Sequence, residues 1–116
     1  MEEIAVTTLA STGRTRHIMD RIRSTIRETV PGAKVILYGS RARGNTPPDS
    51  DWDLVILVHG PVSQELEETI LRRLYRLGLE LDEILSPLVY SQSAWDSPLH
   101  RATPFHKNVV GEGIVC

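Results

Sequence analysis

The chain has 116 residues, 41% hydrophobic and 24% charged. That length and composition describe one ordinary globular domain, residues 1–116, with a single core; they exclude a disordered chain and leave no room for a separate substrate domain. Thirteen Lys and Arg against fifteen Asp and Glu give a net charge of −2, which argues against general nucleic-acid binding, where a basic excess is the rule.

Residues 1 to 13 carry weak signals. Ile4, Ala5, Val6 and Leu9 could pack, but Ser11-Thr12-Gly13 should break any element there. A helix is predicted from about Thr15 to Thr29, because Ile18, Ile22, Ile26 and Val30 recur every four residues with Met19 beside them. Pro31-Gly32 stops it. Lys34 to Tyr38 is a short apolar run, as expected of a strand covered on both faces. Gly39-Ser40 turns the chain into a possible helical turn, Ser40 to Arg43, and Asn45 to Ser50 reads as a loop. Trp52 to Val58 is a second strand. Its Trp52, Leu54, Ile56 and Val58 share one face, and Asp51, Asp53, Val55 and Leu57 share the other.

Gly60-Pro61 ends that strand, and Ser63 is a suitable cap for a helix up to Leu77, stopped by Gly78. Leu66, Ile70, Leu74 and Leu77 form its apolar stripe, with Glu early and Arg late along it, as the helix dipole favours. Glu83 to Tyr90 fits a third strand, in which Pro87 implies an edge position or an interruption. Asp96-Ser97-Pro98 is a turn. Thr103-Pro104 opens a last helix that ends by Gly111. Trp52 reads as core, and Trp95 and Phe105 as packing for that helix or, less readily, as part of a protein interface. The single cysteine, Cys116, permits no internal disulfide. No apolar run reaches the length of a bilayer span and the N-terminus lacks a signal-peptide pattern, so a cytoplasmic protein is expected. The element order predicts a small α/β (α+β) fold with a three- or four-stranded mixed sheet and helices packed against it.

Chemistry concentrates at one corner. Glycine at position 39 lets a phosphate approach the backbone, with the Ser40 hydroxyl and the turn N–H groups as donors; the plain alternative is a simple turn. Asp51 and Asp53, two apart on a strand, point the same way and could hold a divalent cation; otherwise they are solvated or cap a loop. The four histidines, His17, His59, His100 and His106, show no metal-ligand spacing.

Tyr38-Gly39-Ser40-Arg41-Ala42-Arg43-Gly44, followed by Ser50-Asp51-Trp52-Asp53-Leu54, resembles the signature of the polymerase-beta-like nucleotidyltransferase superfamily, and its minimal nucleotidyltransferase (MNT) group in particular. The resemblance covers about residues 15 to 91. It implies the small nucleotidyltransferase fold, with Gly39, Ser40 and Ser50 in a nucleotide-binding site and Asp51 and Asp53 as catalytic ligands of Mg2+ or Mn2+. Arg41 and Arg43 would lie near the phosphates of ATP or another NTP, or else form surface salt bridges. It further implies transfer of a nucleoside monophosphate to a hydroxyl, and pairing with a HEPN-domain protein in a toxin-antitoxin system. One position departs from the pattern. Where family members carry a third carboxylate as base, in the third strand, Ser86 stands here; Asp82 and Glu83 just precede it and could reach inward, but read more readily as solvated charges. That departure keeps a rival in view, an MNT-fold binding module that acts by protein–protein contact. A stand-alone antibiotic-modifying transferase resembles only the core, and size and charge argue against a DNA polymerase.

Overall fold

A computed structural model describes residues 13–44 and 50–116 of the chain. The expected apolar pattern at Ile4–Leu9, the break at Ser11-Thr12 and most of the loop from Asn45 lie outside the described residues. A four-stranded mixed sheet carries helices on both faces.

Helix α1 (Gly13–Thr29) buries Ile18, Met19, Ile22 and Ile26, the predicted stripe. Gly13 is its first residue rather than a break, since the cost of glycine falls on helix interiors. Strand β1 (Lys34–Tyr38) is followed directly by the single turn α2 (Ser40–Arg43) and then by β2 (Trp52–Val58). Helix α3 (Gln64–Leu81) is capped by Ser63, whose Oγ accepts from the Leu66 N–H at 3.0 Å. Strand β3 (Leu85–Ser91) leads into two single turns, α4 (Gln92–Trp95) and α5 (Pro98–Arg101), and then α6 (Pro104–Glu112) and β4 (Ile114–Val115). The predicted turn at Asp96–Pro98 joins α4 to α5. Among the described residues, no helix is long and apolar enough to cross a membrane.

Two helix ends differ from expectation. Helix α3 runs through Gly78 to Leu81 and is closed by Asp82 in the left-handed conformation. Gly78 is inside the helix because the chain returns against it: the Glu83 N–H donates to the Gly78 carbonyl at 2.9 Å, and a Cβ at Gly78 would lie 2.7 Å from the Glu83 oxygen. Helix α6 likewise passes Gly111 and is closed by Gly113, where a Cβ would meet Ile36 Cγ2 at 2.6 Å.

The sheet order is β3-β2-β1-β4, with β2 and β3 parallel and the other pairs antiparallel. Among the described residues strand β3 is therefore an edge, a position that accommodates Pro87. On one face α1 and α3 cover Val35, Leu37, Trp52, Leu54, Ile56 and Val58. On the other, Trp95 and Val109 close over Ile36, Val55 and Leu57, with Phe105 packed against them. With β2 covered on both sides, its termini are the places where polar groups can gather. The register decides which do: Tyr38 pairs with Asp53 across β1–β2, and Asp53 pairs with Ser86 across β2–β3.

Candidate active site

The end of β1 and the starts of β2 and β3 meet at one corner. Gly39 caps β1 with φ 77° and ψ −157°, a conformation essentially reserved for glycine. A Cβ there would collide with Asp53 Oδ2, so the turn lies directly against the carboxylate. The Gly39 carbonyl accepts from the N–H groups of Ala42 at 3.1 Å and Arg43 at 3.2 Å, which winds α2; Gly44, left-handed at φ 74°, ends it.

Asp51 is exposed and Asp53 half-buried. Burial first, and the Asp51 charge second, push the Asp53 carboxyl above its ordinary range, while Arg43 pulls it down. Its neighbour Tyr38 is pushed up as well, by burial and then by the Asp53 and Tyr90 charges. Two adjacent carboxylates, one desolvated and repelled by the other, form a site that a cation relieves. Hard oxygen donors in such a pair fit Mg2+ or Mn2+.

Ser86 occupies the position in register with Asp53, and its Oγ donates to Asp51 Oδ2 at 3.2 Å. It therefore sits beside both carboxylates, where the family pattern has a third. Neither preceding acid replaces it. Asp82 ends α3 and is exposed. Glu83, expected to be solvated, is only 11% exposed at its side chain. It accepts from Trp52 Nε1 at 2.8 Å and Arg14 Nη2 at 2.6 Å, on the sheet face covered by α1 and α3. The Trp52 hydrogen bond and the two arginines outweigh burial and hold its carboxyl below the usual glutamate range.

The arginines of α2 diverge. Arg41, 14% exposed at its side chain, donates twice to the Ser50 carbonyl, from Nη2 at 2.9 Å and Nε at 3.3 Å. Its guanidinium lies 4.4 Å from the Trp52 ring centroid and 3.6 Å from Glu83 Oε1. Arg43 points to the carboxylate side and pairs with Glu112 of α6 at 3.0 Å, both exposed. Both arginines form ion pairs, a largely buried one for Arg41 and an exposed one for Arg43, and the Arg43 charge also acts on Asp53. Glu112, and the buried role of Glu83, are not legible in the sequence. Their partners are 31 to 69 residues away in sequence, and no local pattern carries that information.

Residues 19–91 match the nucleotidyltransferase domain family. A curated relative, the "Putative protein adenylyltransferase" of Methanocaldococcus jannaschii, is 35% identical over 60 residues, which is 52% of this chain and 61% of the relative. The match thus spans about three-fifths of that protein. Among solved structures, a toxin-antitoxin crystallised with AMP-PNP aligns with a TM-score of 0.58 at 19% identity, over 83% of this chain and 69% of that one. A mutant of the toxin-antitoxin MntA-HpeT aligns with a TM-score of 0.57 at 19% identity, over 84% and 70%. At that identity the likeness is one of fold.

Proposed function

Because the chain belongs to the nucleotidyltransferase domain family, we propose that it transfers a nucleoside monophosphate, AMP from ATP, to a hydroxyl on a partner protein. It does so as the antitoxin-like member of a toxin-antitoxin pair, with a HEPN-domain protein as the partner, in the cytoplasm. The observation that carries this reading is the contact between the Gly39 turn and Asp53, with Asp51 bonded to Ser86, the register partner of Asp53. A triphosphate needs donors without a side chain in the way, and Gly39 with the Ser40 hydroxyl supplies them. Asp51 and Asp53 would hold Mg2+ or Mn2+, and the bound ion would neutralise charge on the phosphates and lower the pKa of the attacking hydroxyl. Arg43, exposed and paired with the exposed Glu112 of α6, can exchange that carboxylate for a phosphate.

Calorimetry of ATP with and without magnesium tests the site, on wild type and on the Asp51→Asn/Asp53→Asn variant. Magnesium-dependent binding that the variant loses is expected, followed by transfer of label from the α-phosphate of ATP to a co-purifying partner. One observation favours a second reading, that the fold serves as a binding module: Ser86 stands where the family pattern has its base. Absence of binding of any NTP by folded wild type, together with a stable complex with the partner, would establish that reading instead.

A further inference from the structure

We propose that Arg41 and Glu83 are positioning residues that lock the two halves of the site together from the opposite face of the sheet. The inference rests on the site assignment above. The β1–β2 ladder ends at the pair Tyr38 and Asp53, so Gly39 and Ser40 on one arm, and Ser50 and Asp51 on the other, lie beyond its last rung. Beyond that rung the two hydrogen bonds from Arg41 to the Ser50 carbonyl join the arms. The guanidinium making them is held in turn. It lies over the Trp52 ring and faces Glu83, which also fixes the Trp52 indole and is braced by Arg14 of α1. Arg14 additionally donates to the Leu81 carbonyl at 2.9 Å, anchoring the end of α3 to the same cluster.

An arginine suits this post because its planar fork can bond a carbonyl, stack on an indole and face a carboxylate at once; lysine cannot. Groups that orient a site without touching its ligand commonly change affinity by about tenfold or more. Arg41 therefore acts through Ser50 and Asp51 and not as a phosphate ligand.

The two roles predict opposite signs for Glu83→Gln. Removing a negative charge near a site for anionic ATP should tighten binding if the local field alone matters. Loss of the lock should weaken it. Calorimetry with magnesium-ATP is expected to show about tenfold weaker binding for Glu83→Gln. A similar loss is expected for Arg41→Lys, and a loss clearly smaller than the sum of the two in the double variant, because both weaken the same lock. Unchanged or tighter binding by Glu83→Gln, or additive losses, overturns the proposal. Urea unfolding checks that each variant folds cooperatively. Amide NMR of the unliganded protein decides the matter independently of any nucleotide. Glu83→Gln should shift Gly39, Ser40 and Ala42, on the arm that Glu83 does not touch. Shifts confined to Arg14, Trp52 and the end of α3 would refute the lock even if wild type binds no ATP, an outcome that would separately refute the site assignment.

Discussion

At the scale of single residues, Gly39 shows how backbone and chemistry constrain each other. Its φ of 77° is strained for any side chain, and the space a Cβ would need is filled by Asp53 Oδ2. Gly39→Ala should therefore cost about 3 kcal/mol in urea unfolding, and should also abolish magnesium-dependent nucleotide binding; a variant as stable as wild type would show that the turn is not tied to Asp53. Glu83 makes a prediction in pH. Its carboxyl is held below the ordinary 4.5 because the Trp52 hydrogen bond, Arg14 and Arg41 outweigh burial. A depressed folded pKa means that the folded state binds protons less readily than the unfolded state. The stability from this group is complete above the unfolded value and is lost as pH falls through the folded one. Thermal midpoints of wild type should decline through that acid window, and those of Glu83→Gln should decline less steeply. Parallel curves would remove Glu83 from the account. The acidic pair and the glycine turn were legible because their spacing is local. Glu83 was not, since the groups that give it meaning come from α1, α2 and β2.

At the scale of elements, the strands were the easier reading and the helix ends the harder. Residues 34–38 and 52–58 form strands with the predicted bounds, because a run buried on both faces has few alternatives. Gly78 was read as a stop, but glycine serves two purposes that look alike in one dimension: it ends a helix, or it lets another backbone come close. Here the second holds, with the Glu83 carbonyl oxygen 2.7 Å from where a Cβ would be. The distinction has a sign. Gly→Ala inside an unobstructed helix gains about 1 kcal/mol from propensity. Gly78→Ala should instead lose about 1–3 kcal/mol, as overpacking against backbone does, and the loss should appear in the urea midpoint. A stabilised variant would mean that the return of the chain to β3 has slack. Strand β4 could not be foreseen as an element, because two residues, Ile114 and Val115, carry no periodicity; only their pairing with Leu37 and Ile36 defines them.

At the scale of the whole molecule, the topology decides what Ser86 can be. The 18-residue helix α3 carries the chain across one face so that β3 returns parallel to β2, and that crossover places a residue 35 positions from Asp51 within hydrogen-bond reach of it. The fold thus brings Ser86 beside the two carboxylates and offers them a hydroxyl. A serine that bonds Asp51 helps to orient that carboxylate but has no charge to contribute and no basicity near neutral pH. Ser86→Asp therefore separates scaffold from chemistry. Without metal, a third carboxylate beside Asp51 and Asp53 should lower the melting temperature by like-charge repulsion. Added magnesium should then raise it by more than in wild type, since a ligand that binds the folded state alone stabilises it by mass action. If the partner lacks a base of its own, labelled AMP transfer should rise about 100-fold, the lower end of what a positioned base contributes. A rise in magnesium response without a rise in transfer would mean that the partner already supplies the base, and that this chain and its acceptor complete one active site between them. No change in either would place Ser86 outside the site and overturn the register argument, whatever the sequence pattern suggests.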